Sequence, residues 1–351
     1  MVPIRILVVD DSVLVRRMVS KVLSEDSSLE VVGVAANGHI ALAKINQVNP
    51  ELIILDIKMP EMDGLETLTA IRKDHPDLPV IMFSSLTERG AAITLDALSL
   101  GATDYVTKPV NQGSKEAALQ DIRNQLIPKI KAICQKEAGQ PFVLPKEILQ
   151  RPKSPKVLSK IPQKVEIVAI GVSTGGPNAL NTLLSPLPAN FPVPIVIVQH
   201  MPPVFTARLA QRLNQSCQVS VYEGVSGASI APGQVWLAPG DFHMVLEREG
   251  TNVKILTNQN RPENFCRPAV DVLFRSVAKV YGAGTLGVIM TGMGQDGLHG
   301  CKCIREAGGQ ILVQDQATSV VWGMPGMVAE AGFADLVLPL KQLSQEIINR
   351  G

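Results

Sequence analysis

The stretch Gly171-Val172-Ser173-Thr174-Gly175-Gly176-Pro177 places a hydroxyl where the backbone is free to turn sharply. The apolar run Ile167-Val168-Ala169-Ile170 just ahead predicts a buried strand, and the pattern from Asn178 onward predicts a helix with Pro177 in its first turn. A serine between strand and helix sits at the carboxyl edge of a parallel sheet, where such folds place their sites. Glycines there let the backbone approach a ligand closely. The N–H groups opening the helix can hold a developing negative charge. The chemistry this suits is nucleophilic attack by Ser173 with part of an oxyanion hole built in. A phosphate-binding turn and a plain strand-to-helix turn are the alternatives.

A nucleophilic serine needs a base within hydrogen-bond reach, and the base needs an orienting carboxylate. Three histidines follow Ser173. His200 ends a second predicted strand, residues 194–199, at the same sheet edge. His243 lies in a turn entering a short meander, and His299 lies in a predicted helix three residues past Asp296. Strand-end position favours His200, with His299 as its competitor. For the carboxylate, residues 286–290 predict a strand leading into Thr291-Gly292-Met293-Gly294-Gln295-Asp296-Gly297, a second glycine-rich turn with an acid inside it. Helix capping is the other use for Asp296, and Asp315, after the predicted strand 310–314, is its rival. The order Ser, His, Asp differs from the Ser, Asp, His order of α/β-hydrolases, although Gly171–Gly175 fits their G-x-S-x-G pattern.

The first 110 residues carry a different constellation. Five apolar runs alternate with helical patterns, which predicts a doubly wound parallel sheet. Polar residues follow the runs: Asp10 and Asp11 the first, Asp56 the third, Ser84 the fourth, Lys108 the fifth. They should gather at one sheet edge. Three carboxylates there repel one another unless a cation intervenes, and hard oxygen ligands suit Mg²⁺. A magnesium ion beside a lysine neutralises a transferring phosphoryl group, which makes one aspartate a candidate acceptor. A single aspartate at a strand end is an ordinary turn former; a full set at separate strand ends is not.

Two resemblances follow from these residues. Val8-Val9-Asp10-Asp11-Ser12, Asp56-Ile57-Lys58-Met59-Pro60-Glu61-Met62-Asp63-Gly64, Ser84-Ser85 and Lys108-Pro109 resemble the receiver domain of bacterial response regulators. That resemblance implies that Asp56 accepts a phosphoryl group from a histidine kinase. It implies that Asp10, Asp11, Asp56 and the Lys58 carbonyl hold Mg²⁺, that Ser84 and Tyr105 form the switch pair, and that Lys108 contacts the phosphate. Ser84 stands where many receivers carry threonine and keeps the hydroxyl. In the second half, the two glycine-rich turns, Gln199-His200-Met201, Ala238-Pro239-Gly240-Asp241-Phe242-His243-Met244, Arg267-Pro268-Ala269-Val270-Asp271 and Gly323-Met324-Pro325 resemble the catalytic domain of the chemotaxis protein-glutamate methylesterases. This implies Ser173 as nucleophile, His200 as base, Asp296 as its orienter, and the N–H groups of Thr174 and Met293 as the oxyanion hole. It also implies hydrolysis of glutamate methyl esters on chemoreceptors, deamidation of receptor glutamines, no metal in the esterase site, and a receiver that covers the esterase face until Asp56 is phosphorylated. Ala269 stands where many relatives carry serine.

The composition agrees with that organisation. The 351 residues suit two or three domains, and 46% hydrophobic content suits sizeable cores. A net charge of +1 gives no whole-chain footprint for nucleic acid or an anionic membrane. No apolar run approaches a membrane span, and Asp10-Asp11 after a short apolar run does not suit a signal peptide. Five cysteines, with Cys301 and Cys303 the only close pair, read as reduced cytosolic thiols. Residues 114–137 predict a helix with a break or kink at Pro128. Residues 138–164, with five prolines, six basic residues and one acid, predict an exposed linker, with a basic docking segment as its rival. The expected domains are 1–124, a receiver; 125–164, a helical extension and linker; and 165–351, an α/β methylesterase domain on a mostly parallel sheet. A phosphorylation-gated binding module with an unused esterase site is the alternative function.

Overall fold

A computed structural model describes residues 2–109, 114–134 and 164–351. The chain divides into two compact units, Met1–Ala138 and Gly139–Gly351. The first alternates β1 (Ile4–Val9), α1 (Val13–Ser24), β2 (Leu29–Ala35), α2 (Gly38–Val48), β3 (Leu52–Asp56), α3 (Gly64–Asp74), β4 (Val80–Ser84), α4 (Glu88–Ser99), β5 (Asp104–Thr107) and α5 (Lys115–Cys134). All neighbouring strands pair in parallel, in the order β2-β1-β3-β4-β5. β3 and β4 are buried at every position, as central strands covered on both faces must be. Order reverses between β1 and β3, so the ends of those two strands flank the crevice that such a sheet leaves open.

Side-chain caps set the helix starts. Ser12, Asn37, Asp63 and Thr87 each accept a hydrogen bond from the first turn of the helix they precede. Of the expected break or kink at Pro128, a break does not occur: α5 is continuous through it. Leu119, Ile122, Leu126, Ile130 and Ile133 recur every three or four residues and are buried, so packing on both sides of the proline outweighs the lost hydrogen bond. The expected linker, apart from Lys164, lies outside the described residues.

The second unit runs β6 (Ile167–Val172), α6 (Gly176–Leu184), β7 (Ile195–Gln199), α7 (Phe205–Ser216), β8 (Ser220–Glu223), β9 (Gln234–Leu237), β10 (His243–Glu249), β11 (Asn252–Asn258), α8 (Val270–Tyr281), β12 (Thr285–Ile289), α9 (Leu298–Glu306), β13 (Gln310–Gln314), α10 (Met324–Glu330), β14 (Leu336–Leu338) and α11 (Leu340–Arg350). Seven strands form one sheet in the order β14-β13-β12-β6-β7-β9-β8, parallel throughout. β10 and β11 form a separate antiparallel hairpin. β6 lies at the centre, with β7 on one side and β12 on the other, so three chain segments leave the sheet side by side at its carboxyl edge. Phe274 and Val277 of α8, Cys301 and Ile304 of α9 and Met244 of β10 are buried in the core on one side of this sheet. None of the five cysteines is in a disulfide, and no helix among the described residues is long and apolar enough to cross a membrane.

Candidate active site and acidic pocket

Ser173 follows the last residue of β6, and His200 follows the last residue of β7. Val172 pairs with Gln199 across those strands, so the two functional side chains leave the sheet at adjacent positions. Backbone bonds hold both: the Ser173 N–H donates to the Thr291 carbonyl at 3.0 Å, and the His200 N–H to the Val172 carbonyl at 3.2 Å. The Ser173 carbonyl accepts from the Gly176 N–H at 2.8 Å and from Gln199 Nε2 at 3.0 Å. Two glycines are required by geometry. Gly175 opens α6 at φ +78°, where an L side chain is strained. At Gly292 a Cβ would lie 2.8 Å from the Ser173 Cβ, so this position must stay bare for the serine to fit. Neither the Thr174 nor the Met293 N–H finds an acceptor among the described residues. Thr174 is buried and Met293 is exposed.

Asp296 is 2% exposed and fully engaged. Its Oδ2 lies 2.8 Å from His200 Nε2 and accepts the Val270 N–H at 2.6 Å; its Oδ1 accepts the Asp271 N–H at 3.0 Å and Asn264 Nδ2 at 2.9 Å. Val270 and Asp271 open α8, so Asp296 caps a helix whose preceding residue, Ala269, has no capping side chain. Asp271 returns the arrangement: it accepts from the N–H groups of Gly297 and Gly300 and caps α9, where Gly297 can offer no side chain. Asn264 Nδ2 donates to both carboxylates, at 2.9 Å each. Burial alone would raise the Asp296 pKa, but the His200 ring and the two helix-opening N–H groups hold it below the usual carboxylate range. Asp271 goes the other way, pushed up to about 6 by burial and by the charge of Asp296.

Because a carboxylate only accepts, His200 Nε2 carries the ring proton and Nδ1 presents a lone pair. That lone pair faces the Cys266 thiol, with Sγ 3.7 Å away. Burial disfavours charge on the ring, yet Cys266 and Asp296 outweigh it and raise its pKa to about 10. Only the neutral ring leaves Nδ1 unprotonated and able to take a proton. Among the described residues the Ser173 hydroxyl makes no hydrogen bond to His200; such contacts are often loose before substrate binds.

The rival residues have other employment. His243 is 1% exposed, receives the Ala269 N–H at Nδ1 and meets the Arg261 carbonyl through Nε2, which makes it a brace for the loop before α8. His299 is exposed on α9. Asp315 accepts from the N–H and hydroxyl of Thr318 and closes a turn. Residue type and spacing do not single out Cys266, Asn264 or Asp271, since each reaches the site from a turn or a helix start rather than a strand end.

In the first unit Asp10 follows β1 and Asp56 closes β3, the strands that flank the crevice. Carboxylate oxygens of Asp10, Asp11 and Asp56 all lie within 4.8 Å of one another. Asp10 and Asp56 are buried and Asp11 is exposed. Lys108 Nζ reaches both buried acids at 2.8 Å. Asp56 is pushed up to about 6, first by burial and then by the Asp10 charge, with Lys108 only partly offsetting them. One lysine thus leaves the cluster short of positive charge, and its donors are the hard oxygens that Mg²⁺ prefers. Lys58 lies two residues past Asp56 with an exposed side chain. Ser84 is fully buried; Thr94 Oγ1 lies 2.7 Å from both its hydroxyl and the Gly90 carbonyl. Tyr105 is buried on the neighbouring strand, and burial with the nearby Asp104 raises its hydroxyl pKa well above the ordinary value.

Comparison with known proteins agrees with this architecture. Residues 168–347 match the family model for CheB methylesterase, and residues 6–120 match the response regulator receiver domain. The chain is 61% identical over 353 residues to a protein-glutamate methylesterase/protein-glutamine glutaminase of Trichodesmium erythraeum, covering 99% of this chain and 98% of that protein. A protein of the same name from a Nocardioides species is 48% identical, with 99% and 95% covered. The crystal structure of the Thermotoga maritima CheB methylesterase catalytic domain aligns with 53% of this chain and 98% of its own, at 43% identity and a TM-score of 0.52. With a parallel-sheet hydrolase unit preceded by a five-stranded receiver, the chain belongs to the CheB methylesterase family.

Proposed function

We propose that this protein hydrolyses methyl esters of glutamate side chains on chemoreceptors, under control of phosphorylation at Asp56. The observation that carries the reading is the His200–Asp296 pair at 2.8 Å, set at the strand end beside Ser173. In this reading His200 Nδ1 takes the Ser173 proton as Oγ attacks the ester carbonyl. The tetrahedral oxygen is held by the N–H groups of Thr174 and Met293, which have no acceptor among the described residues. His200 returns the proton to the leaving methoxide, methanol departs, and water activated at the same nitrogen releases the glutamate. Asp296 keeps the ring in the tautomer that leaves Nδ1 open. A glutamine amide attacked in the same way loses ammonia instead, which fits the double name that the relatives carry.

In the first unit Asp56 is the phosphoryl acceptor, and Asp10, Asp11, Asp56 and the Lys58 carbonyl would hold Mg²⁺. The ion supplies charge neutralisation for the transferring phosphoryl oxygens. Lys108 reaches the acceptor carboxylate already, and Ser84 and Tyr105, on adjacent strands, form the pair that reads its state. The donor is a histidine kinase and the setting is the cytoplasm, where receptor helices and kinase meet. The domains in this reading are a receiver at 1–124, a helical extension and linker at 125–164 and the methylesterase at 165–351. The test is methanol release from methylated receptor, with and without acetyl phosphate and Mg²⁺. Release that rises with the phosphodonor supports the reading. No release under either condition, with Asp56 still phosphorylated, leaves a gated binding module.

A further inference from the structure

The hydrolytic steps above make no use of Cys266, yet its thiol is the group that faces His200 Nδ1. Its sulfur lies 3.7 Å from His200 Nδ1, and ligand atoms of His200, Cys266 and Asp296 all fall within 4.8 Å of one another. The thiol is not on a loose loop. The N–H and carbonyl of Cys266 exchange hydrogen bonds with those of Glu263 at 2.9 and 3.1 Å, closing a two-residue turn. Asn264 and Phe265 occupy that turn at φ +51° and +62°, the geometry of a tight hairpin. Glu263 is then clamped by Arg275 of α8 through two bonds of 2.6 and 2.7 Å, and Asn264 is tied to Asp271 and Asp296. The Cys266 backbone and the His200 ring are therefore each held by the structure around them.

The 3.7 Å between sulfur and Nδ1 has a chemical meaning. Zinc takes sulfur at about 2.3 Å and imidazole nitrogen at about 2.0–2.1 Å, and a tetrahedral angle between them sets the two ligands roughly 3.5 Å apart. The observed 3.7 Å is close to that ligand spacing. His200 Nε2 on the Asp296 carboxylate completes the carboxylate–histidine–metal relay that orients imidazole ligands in zinc sites. We propose that Cys266 Sγ and His200 Nδ1 form a two-point clamp for Zn²⁺ in the active site, and that occupancy by this ion switches hydrolysis off. Binding is a ligand exchange without redox change: the Cys266 thiol gives its proton to solvent, its sulfur and the Nδ1 lone pair bond to the metal, and water fills the remaining positions. The lone pair that holds zinc is the one that accepts the Ser173 proton, so metal and hydrolysis exclude each other. The inhibitory half rests on His200 being the base; the metal site itself does not. The other close cysteines are no substitute, since Cys301 is buried in the core and Cys303, two residues on along the same helix, faces elsewhere. The acidic pocket of the first unit offers oxygen donors alone and suits Mg²⁺, not a thiolate-seeking ion.

The experiment uses the full chain with saturating Mg²⁺ and Co²⁺ as a visible stand-in for zinc. Wild-type protein should bind one cobalt per chain with a thiolate-to-cobalt charge-transfer band in the near ultraviolet. The band should be lost in both Cys266→Ser and Cys266→Ala, with competition against a chromophoric chelator giving the zinc affinity. Two protein ligands in place of four should put half-inhibition of methanol release at ~1–100 µM free zinc. Both variants should need at least about tenfold more zinc for the same inhibition, that ratio corresponding to one decade in affinity. The wild-type spectrum needs no variant to fold. Absence of the band in wild type, or its persistence in both variants, overturns the site. A band without inhibition overturns the switch and counts against His200 as the base, while the metal site stands.

Discussion

Two buried aspartates at the carboxyl edge of two parallel sheets have moved in opposite directions. Asp56 is 4% exposed and pushed up to about 6, whereas Asp296, 2% exposed, is held below the usual carboxylate range. Burial disfavours the charge of both. The difference lies in what surrounds the charge. Asp296 meets two N–H groups that open α8, an asparagine amide and an imidazole, all fixed in place by secondary structure. Asp56 has one backbone N–H and one shared lysine, and Asp10 beside it. The carboxylate of the first site is compensated by its protein neighbours; that of the second is short of positive charge. One edge of the same architecture thus suits preorganised catalysis and the other suits reversible ion and phosphoryl binding.

The largest expected effects test the compensated site. Ser173→Ala should lower the rate of methanol release by about 10⁴-fold or more, as loss of a triad nucleophile does elsewhere. A variant retaining a tenth of the wild-type rate would remove Ser173 as nucleophile. His200→Gln should be nearly as damaging and His299→Gln nearly silent; the reverse order would move the base to α9. Asp296→Asn is the sharper probe, because it keeps the shape and removes the charge. An asparagine whose oxygen keeps the Oδ1 contacts, with the Asp271 N–H and Asn264, turns its NH₂ toward His200 Nε2 and loses the Val270 N–H bond. The ring must then accept there and carry its proton on Nδ1, the wrong nitrogen. A loss on the order of 10³–10⁴ is expected, and a mild loss would mean that Asp296 serves only as a helix cap.

The site short of positive charge should respond less, through regulation rather than chemistry. Asp56→Asn should leave the unphosphorylated rate of methanol release in place and make it indifferent to acetyl phosphate. Coupling between distinct sites is typically 1–3 kcal/mol, so wild-type activation of roughly 5–150-fold is expected. Deleting residues 1–137 should raise the basal rate if the receiver inhibits. An isolated second unit no faster than unphosphorylated full-length protein would contradict inhibition.

Much of this contrast can be read from sequence for a simple reason. A fully buried strand in a parallel sheet is an apolar run, and the first polar residue after it is at the functional edge. Asp10, Asp56 and Ser173 announce themselves that way, and His200 and Lys108 come one polar residue later, after Gln199 and Thr107. The residues around them do not. Asn264 and Phe265 build a tight turn of the kind normally marked by Asn-Gly, and phenylalanine hides it. Cys266 stands alone in sequence and meets His200 only through the fold. Asp271 reads as an ordinary acid in a first helical turn, although it caps a different helix, α9. Pro128 shows the opposite failure, a strong local rule overridden by packing along α5.

Asp271 supplies the smallest effect, and it falls on stability. It is fully buried beside Asp296, and its pKa is raised from 3.8 to about 6. A carboxyl whose folded pKa is raised binds its proton more tightly in the folded state. Its contribution is therefore fully present below about pH 4 and is lost as pH rises through about 6. Two units correspond to about 3 kcal/mol at most, so a change on the order of 1–3 kcal/mol is expected across that window. Asp271→Asn keeps an oxygen for the Gly297 and Gly300 N–H groups, while its NH₂ turns toward Asn264, whose Nδ2 keeps its bond to Asp296 and gives up the one to residue 271. The variant should be less stable than wild type, or equal to it, at pH 4 and more stable at pH 8. The measurement is the difference in urea midpoint between the two proteins at each pH, with Mg²⁺ held constant. A difference that does not change with pH would mean that Asp271 stays ionised throughout. In that event the helix-opening N–H groups of α9 would compensate it as fully as those of α8 compensate Asp296.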